Sequence, residues 1–444
     1  MKIFSKDNYD KMLKEIFQRF PSVQTSSFAD AYKPGLERMT AFDLHLGNPN
    51  RRYRTIHIAG TNGKGSVSSM LASILAGAGL KVGLYTSPHI LDFRERMRVV
   101  TDTGVSLVSK EYVYEFLLDQ RLSFEELDLS FFEITTGMAF KWFADEKVDV
   151  AVVETGLGGR LDSTNIIHPE LSIITSIGLD HCDLLGDTLQ KIAAEKAGIF
   201  KSGVKALVDS KKDETEEVFR TCASDVGAEL YFADSSEPSL WQIVPSVLQE
   251  MDLRGRYQAL NIRTVLSAVD ILKEIHPEWI LSEKVVKSAL VNAASRTAFH
   301  GRWERISTEP DVICDIGHNA AALSLNFKQL KDYLDTGEYT SLIIVYGAMS
   351  DKFSEDLARL FPEDATWIFT APQTRRALPA ESIMKVVSAI FGQSGYSTSR
   401  LYVVPSVRDA VTSALRMASE YGGKPLVYIG GSTFVVSEAL PLFG

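Results

Sequence analysis

Cysteine is scarce in this chain of 444 residues, which has only Cys182, Cys222 and Cys314, all far apart. No C-x-x-C pair occurs, so neither a disulfide framework nor a thiolate zinc site is indicated. Apolar runs are short, and none approaches the roughly 18 residues that a membrane helix needs. The start of the chain lacks the apolar stretch of a secretion signal. We therefore expect a cytoplasmic protein without a membrane partner.

Positive charge is also in deficit, with 47 Lys and Arg residues against 57 Asp and Glu residues and a formal net charge of -10. Nucleic-acid-binding proteins collect basic residues in stripes, and no such stripe is present here. A short basic cluster, Arg51, Arg52 and Arg54, is suited to an anionic small molecule. We therefore expect small-molecule substrates, no nucleic acid, and a monomeric chain.

The most informative segment is a glycine-rich turn that follows an apolar run, with the sequence TIHIAGTNGKGS at residues 55–66. Its three glycines permit a tight turn in which backbone N–H groups point at phosphate oxygens at a helix N-terminus. Lys64 would neutralise the terminal phosphates, and Ser66 would reach a magnesium ion. The spacing departs from G-x-x-x-x-G-K-[ST], because Gly65 separates the lysine from the serine. A glycine-rich connection with a surface lysine is the disfavoured alternative.

The order of apolar runs and helical patterns predicts an α/β fold with two doubly wound domains. We expect an N-terminal P-loop ATPase-like domain over residues 1–298 and a smaller C-terminal Rossmann-like domain over residues 299–444. Continuous Val, Ile and Leu runs are typical of parallel strands that are buried on both faces. In the first domain they predict strands at Thr55–Ala59, Val82–Tyr85, Val148–Val153 and Leu171–Thr175, with helices that include Phe131–Glu146 and Thr188–Phe200. Five further strand and helix units are predicted from about Pro310 onward.

Polar residues follow several of these strands, at the edge where open α/β sheets bind ligands. Ser87, Glu154 and His181 each follow a different strand and, together with Ser66, are candidate magnesium ligands. Taken singly, Glu154 is also compatible with a surface carboxylate and His181 with an ordinary loop histidine. Lys196 lies on an apolar helical face, where a lysine whose amine reaches solvent is the alternative.

The motifs together resemble the folylpolyglutamate synthases, which in bacteria are often also dihydrofolate synthases and which belong to the Mur ligase superfamily. The resemblance spans about residues 25–440. The motifs occur in the family's order: GTNGKGS (60–66), TSPHILDFRERMRV (86–99), VVETGLGGRLDSTN (152–165), GLDH (178–181), EKAGIFKSG (195–203), YQALN (257–261), HGR (300–302) and DIGHN (315–319).

The resemblance implies a role for each matching residue. It implies that ATP phosphates are held by Gly60, Thr61, Asn62, Gly63, Lys64, Gly65 and Ser66, and that magnesium is held by Ser66, Ser87, Glu154 and His181. Asn261 and Arg302 match residues that hold the nucleotide, and Asp315 and His318 match those that reach it from the second domain. Lys196 matches a lysine that the family carries as a carbamate. Lys64, Lys196 and His318 are thus the expected catalytic residues, and Phe42–Arg51 matches a folate-side loop. One departure is DIGHNA, where the family more often has DGAHNP.

The function implied is that of an ATP- and Mg²⁺-dependent ligase of folate biosynthesis and one-carbon metabolism. It would add L-glutamate to the carboxylate of dihydropteroate, a folate, or both, through an acyl phosphate. A cell-wall Mur ligase is a rival, although it should need a further N-terminal domain and only 54 residues precede the glycine-rich turn's strand. A nucleotide-dependent switch or binding protein is the rival from another class.

Overall fold

A computed structural model describes residues 4–20 and 33–444 of the chain. Residues 25–32, where the stretch of family resemblance begins, lie outside the described residues. The described chain divides into two compact units. Unit 1 comprises Met1–Asp252 and Gln258–Phe299, and unit 2 comprises Leu253–Tyr257 and His300–Gly444. The assignment of the short segment Leu253–Tyr257 to unit 2 has no counterpart in the sequence analysis.

Unit 1 is built on an eight-stranded sheet with the strand order β4-β3-β2-β5-β1-β6-β7-β8. Its strands are β1 (Arg54–Ala59), β2 (Val82–Tyr85), β3 (Met97–Thr101), β4 (Gly104–Leu107), β5 (Val150–Glu154), β6 (Leu171–Ile174), β7 (Lys205–Val208) and β8 (Glu229–Phe232). Its helices are α1 (Lys6–Arg19), α2 (Glu37–His45), α3 (Lys64–Gly77), α4 (Lys110–Asp119), α5 (Arg121–Glu126), α6 (Phe131–Asp145), α7 (Cys182–Leu185), α8 (Leu189–Ala197), α9 (Glu216–Val226), α10 (Val244–Glu250), α11 (Gln258–Ile275), α12 (Glu283–Val291) and α13 (Ala293–Thr297).

The α/β class is confirmed, but the sheet of unit 1 is mixed rather than wholly parallel. β3 runs antiparallel to β2, and β4 runs antiparallel to β3. A parallel return requires a crossover of a dozen or more residues, usually through a helix. Only residues 86–96 join β2 to β3, and they contain no α-helix. The chain therefore folds back beside β2.

Several boundaries differ slightly from the predicted ones. The strand expected at Val148–Val153 is β5, which includes Glu154 as its last residue. The helix expected at Thr188–Phe200 is the shorter α8, which begins after the Thr188 N-cap and ends before Gly198. The Thr188 side chain accepts a hydrogen bond from the Lys191 amide, which satisfies one of the free N–H groups at the helix start.

Unit 2 contains a six-stranded sheet with the order β13-β12-β11-β14-β10-β9. Its strands are β9 (Glu304–Thr308), β10 (Asp311–Asp315), β11 (Ser341–Tyr346), β12 (Thr366–Phe369), β13 (Leu401–Val403) and β14 (Pro425–Gly430). Its helices are α14 (Ala320–Asp335), α15 (Glu355–Ala358), α16 (Ala380–Gln393), α17 (Val407–Glu420) and α18 (Thr433–Ala439). The five predicted strands are β10 to β14, which pair in parallel. β9 is an additional antiparallel strand at the edge.

The sheet of unit 1 explains why polar residues from distant parts of the chain meet. β1 lies between β5 and β6, and β2 pairs with β5, all in parallel. The carboxyl ends of these four strands therefore share one edge of the sheet. Nearly every residue of β1, β2 and β5 is buried. Within the described residues, no helix combines the length and apolar character needed to cross a bilayer.

Candidate active site

The glycine-rich turn, Gly60–Ser66, connects β1 to α3, and we call it the phosphate cradle. Gly63 is the N-cap of α3 and has a φ of 90°, a conformation that glycine adopts without strain. A Cβ atom at this position would also lie 2.5 Å from Asn261 Oδ1. At Gly60, where φ is 155°, a Cβ atom would lie 1.8 Å from Thr175 Oγ1. The cradle thus presents the first N–H groups of a helix, which is the local geometry that binds phosphate.

Two lysine ammonium groups lie against the cradle. Lys64 Nζ donates to the carbonyl oxygens of Gly60 and Thr61, at 3.0 and 3.3 Å. Lys196 Nζ, from the last turn of α8, donates to the same Gly60 oxygen at 2.7 Å. Lys196 is only 3% exposed. Burial, together with the nearby Lys64 charge, lowers the pKa of Lys196 from 10.5 to about 7.

Three of the four predicted magnesium ligands lie near Gly65. Glu154, 3% exposed at the end of β5, accepts a long hydrogen bond of 3.4 Å from the Ser87 amide. Glu154 Oε2 also lies 3.6 Å from the place where a Cβ atom on Gly65 would stand. Ser66 lies in the first turn of α3. His181 caps α7 in another loop, with its Nε2 3.8 Å from Asp180 Oδ1.

These residues fit a magnesium ion that keeps few protein ligands. In the described chain, no group of three or more His, Cys, Asp and Glu side chains is arranged to hold a metal. The four predicted residues include only two of those types, and the other two are serines. Hydroxyl and carboxylate oxygens beside a phosphate site are what magnesium prefers, since phosphates and water complete its shell.

Gln258 is a site residue that the sequence analysis did not single out. It is fully buried at the start of α11, and its Nε2 donates to Ser66 Oγ at 3.3 Å. Its Oε1 accepts from Asn261 Nδ2 at 2.7 Å. Gln258 thus joins a predicted metal ligand to a predicted nucleotide residue. Residues three apart on a helix are neighbours, so the spacing within YQALN was the available signal.

The loop that follows Glu154 is ordered by a second unpredicted residue, Asp162. Its carboxylate accepts hydrogen bonds from the Leu157 amide at 2.8 Å and the Thr164 amide at 3.0 Å. The Thr164 hydroxyl donates to Asp162 at 2.5 Å and bonds to His57 Nε2 at 2.8 Å. Because Thr164 gives its proton to Asp162, His57 is the donor in the second contact. Burial lowers the pKa of His57 to about 3, so the ring is neutral.

In unit 2, the Asp315 carboxylate is fully occupied by donors of its own unit. One oxygen accepts from the Gly317 amide and Asn326 Nδ2, at 2.7 and 2.8 Å. The other accepts from the Tyr257 hydroxyl and the Trp303 amide, at 2.7 and 2.9 Å. A carboxylate has about four acceptor positions, so a nucleotide contact by Asp315 would have to displace one of these partners.

The other predicted residues of unit 2 lie in loops next to this carboxylate. Arg302 precedes Trp303, and its Nη1 is 3.3 Å from the Gly301 carbonyl. His318 follows Gly317, and its Nδ1 bonds to the Ile316 carbonyl at 3.0 Å. Because a carbonyl only accepts, that ring nitrogen carries the proton. Asp315 therefore holds the two loops that carry Arg302 and His318.

The predicted folate-side loop, Phe42–Arg51, is partly core. Phe42 is fully buried, and its ring occupies the space beside Gly137, 2.4 Å from where a Cβ atom would stand. Asp43 is 3% exposed, and burial raises its pKa to about 6, against the lowering effect of the Asn50 amide and Arg51. The loop closes in a short 3-10 turn, Pro49–Arg51. Its role towards a folate remains a prediction.

Comparison with known proteins finds sequence similarity over nearly the whole chain. Residues 58–265 match the Mur ligase middle domain, and residues 301–432 match the Mur ligase glutamate ligase domain. The chain is 34% identical to a dihydrofolate synthase/folylpolyglutamate synthase of Bacillus subtilis, with 91% of this chain and 94% of that protein covered. It is 32% identical to a probable bifunctional folylpolyglutamate synthase/dihydropteroate synthase of Haloferax volcanii, covering 92% of this chain and 48% of that protein. The chain thus spans about half the length of the Haloferax relative.

Solved structures are similar over the same range. A Mycobacterium tuberculosis folylpolyglutamate synthase complexed with ADP and AMPPCP superposes with a TM-score of 0.82 and 26% identity, with 99% of each chain covered. A bifunctional folylpolyglutamate synthase/dihydrofolate synthase with Mn, AMPPNP and L-glutamate bound has a TM-score of 0.74 and 25% identity, over 93% of this chain and 94% of that one. The comparison therefore covers both units.

Proposed function

The chain belongs to the dihydrofolate synthase/folylpolyglutamate synthase family of Mur ligases, and on this premise we propose that it is an ATP-dependent ligase that adds L-glutamate to the carboxylate of a pterin substrate. The pterin substrates are dihydropteroate, folates in their reduced forms, or both. The observation that carries the proposal is the phosphate cradle with Lys64 and Lys196 on one carbonyl oxygen and Glu154 beside Gly65. ATP and a divalent cation are the cofactors that this arrangement accommodates.

The reaction proceeds in two transfers. The γ-phosphoryl group of ATP passes to the pterin carboxylate, so that an acyl phosphate and ADP form. The amino group of L-glutamate then attacks the acyl carbon, and phosphate leaves as the amide bond forms. The protein supplies position and charge for both steps rather than a covalent intermediate of its own.

Residues of unit 1 have distinct tasks in this proposal. The backbone N–H groups at the start of α3 bind phosphate oxygens, and Lys64 moves from its carbonyl partners to the transferring group, where it offsets negative charge. Ser66, Ser87, Glu154 and His181 would hold the cation, which when bound neutralises phosphate charge. Asn261, beside Gly63, would contact the nucleotide.

Lys196 is proposed to act as a carbamate. Carbon dioxide reacts with a neutral amine, and the lowered pKa of Lys196 makes the neutral form abundant near pH 8. The new N–C bond gives a carbamate anion, the amine gives up a proton to solvent, and a divalent cation nearby would favour the anion. Arg302, Asp315 and His318 of unit 2 are proposed nucleotide residues, with Asp315 also holding the loops of the other two.

The cellular context is proposed on the same basis. Relatives are enzymes of folate metabolism, and we infer a cytoplasmic location and a monomeric chain that handles only small molecules. Of the rival functions, a cell-wall ligase finds no support among the relatives named above. A nucleotide switch would release ADP without needing glutamate, which gives a direct test.

The test measures ADP release by the purified chain with ATP, Mg²⁺ and L-glutamate, and with dihydropteroate, tetrahydrofolate or no pterin. We expect ADP release to require both glutamate and a pterin, and to occur with both pterins. Release with tetrahydrofolate but never with dihydropteroate would show that the dihydrofolate synthase activity is absent. ADP release that is independent of glutamate would overturn the ligase itself. The same assay on Lys64→Ala tests the role of Lys64, and the control is Lys191→Ala, which changes an exposed lysine of α8.

A further inference from the structure

Gly65 is the glycine that the usual phosphate-loop spacing lacks, and its surroundings explain it. It has an ordinary helical backbone in the first turn of α3, so conformation alone does not demand glycine there. Space does, because a Cβ atom would lie 2.9 Å from Phe299 Cζ and 3.1 Å from Phe299 Cε2. Real Cβ contacts are almost never as short as 2.9 Å. The ring of Phe299 therefore packs directly on the peptide that joins Lys64 to Ser66.

Phe299 reaches this place at the end of a short helix. α13 ends at Thr297, and Ala298 turns the chain with a φ of 49°. The Phe299 amide then donates to the Ala294 carbonyl at 3.0 Å. The turn directs the ring back towards the cradle, and Phe299 is the last residue of unit 1 before the chain enters unit 2.

A buried arginine holds this turn in place by hydrogen bonds. Arg98, in β3, is 2% exposed, and its Nη1 donates to the carbonyls of Thr297 and Ala298, at 2.7 and 3.1 Å. Its Nη2 donates to the hydroxyl of Thr86, the residue before Ser87. The guanidinium carbon lies 5.9 Å from the centre of the Phe299 ring. A cation at the carboxyl end of a helix also offsets the partial charge of the free carbonyls.

A buried guanidinium is costly to the fold unless its donors are satisfied. The Nε of Arg98 has no hydrogen-bond acceptor among the described residues. Hydrogen bonds therefore offset the cost only in part, and a well-packed apolar side chain of similar volume is often the less costly alternative. The hydrogen bonds that the Arg98 side chain does make all lead to the turn before Phe299 or to the loop of Ser87.

We propose that Phe299 is a positioning residue of the phosphate cradle and that Arg98 is the clamp that holds its ring on Gly65. The ring fixes the Lys64-Gly65-Ser66 backbone, whose N–H groups must point at phosphate oxygens before the nucleotide arrives. Such preorganisation lowers the entropic cost of binding. The inference rests on the proposed function, since it requires the cradle to bind ATP.

The experiment measures the dissociation constant of ADP, with Mg²⁺ and without pterin or glutamate, by titration calorimetry on the full chain. Phe299→Ala should weaken ADP binding by about tenfold or more, and Phe299→Tyr, which keeps the ring, should restore most of the affinity. Arg98→Lys should give an intermediate loss, because an ammonium does not have the planar set of donors that serves three acceptors. Tyr114→Ala, which removes a half-buried ring of α4 in contact with Phe4, is the matched control and should bind like wild type.

A double-mutant cycle separates positioning from a general loss of packing. Gly65→Ala should weaken ADP binding because its methyl group meets the Phe299 ring. In Gly65→Ala/Phe299→Ala the methyl group no longer meets the ring. The loss of ADP affinity in the double variant should therefore be smaller, by about fivefold or more, than the product of the losses in the two single variants. Melting temperatures show that each variant is folded. If Phe299→Ala does not fold, Phe299→Leu takes its place, with the same expectation.

Two outcomes overturn the inference while leaving the proposed function intact. The first is wild-type affinity in a folded Phe299→Ala protein. The second is a cycle in which the two losses multiply independently. Failure of the wild-type chain to bind any adenine nucleotide would instead overturn the proposed function, and the inference with it.

Discussion

The pH dependence of stability around Lys196 is open to a quantitative test with Lys196→Met. The wild-type ammonium is 3% exposed, and its pKa in the folded protein is about 7 rather than 10.5. The difference between these two pKa values corresponds to a free energy of about 5 kcal/mol, at about 1.4 kcal/mol for each pH unit. Below pH 7 the lysine is charged in both the folded and the unfolded chain, so folding bears this whole cost. Methionine removes it, at the expense of one hydrogen bond to Gly60, worth about 2 kcal/mol.

The sign follows from proton binding. Between pH 7 and 10.5 the unfolded chain binds the proton and the folded chain does not, so wild-type stability rises with pH across this window. Lys196→Met should therefore be more stable than wild type by about 2 to 3 kcal/mol at pH 6, and the advantage should vanish or reverse by pH 9.5. Turnover should nevertheless be lost, because methionine cannot form a carbamate.

Calorimetric unfolding at pH 6, 8 and 9.5 measures the difference. The buffers are free of carbon dioxide, metal and nucleotide, so that the lysine stays unmodified. Lys191→Met in the same helix is the control, because that lysine is 63% exposed and paired with Asp187. Exposed pairs contribute about 1 kcal/mol at most. Equal stability of Lys196→Met and wild type at pH 6, or a gain that does not change with pH, would refute the buried-ammonium reasoning.

Three further predictions concern single residues. Lys64→Ala should lower turnover by about two decades, or about 3 kcal/mol, with a nearly unchanged melting temperature, because its partners are backbone carbonyls of the same loop; near-normal turnover would refute its role. Lys196→Ala should lose activity and recover part of it with added acetate or formate, whereas a buried lysine with only a structural role predicts no recovery with either anion. Asp315→Ala should destabilise the chain by about 3 kcal/mol, because four donors lose their acceptor, and an unchanged calorimetric transition would contradict this.

The strands that the sequence predicts well are those buried on both faces. VAVV of β5 and VIC of β10 are continuous apolar runs, each followed by a carboxylate, and both strands are buried throughout. β9 has the sequence ERIST and only partial burial, because it is an antiparallel edge strand with one neighbour. Its sequence contains no continuous apolar run, and it pairs with β10, the next strand along the chain. The antiparallel β3 and β4 were missed for a related reason, since their direction depends on the length of a connection.

The candidate site likewise contains residues that the sequence predicts and residues that it does not. The sequence predicts Ser87, Glu154 and His181 as site residues because parallel strands bring their carboxyl ends to one edge, so each position follows from a local pattern. Phe299 and Arg98 are separated by about two hundred residues and meet only through tertiary packing, so no local pattern links them. Likewise, the four partners of Asp315 come from three separate segments of unit 2. The roles of the predicted residues remain predictions until variants are measured.

The shared carbonyl oxygen of Gly60 has a consequence for the order in which the working enzyme assembles. Burial lowers the pKa of Lys196, and the charge of Lys64 on the same oxygen lowers it further. An incoming nucleotide would draw Lys64 towards its phosphates and bring several negative charges, and both changes favour a protonated amine. Carbon dioxide would therefore react with the Lys196 amine most readily before ATP binds. The proposed carbamylation of Lys196 would then precede the binding of nucleotide.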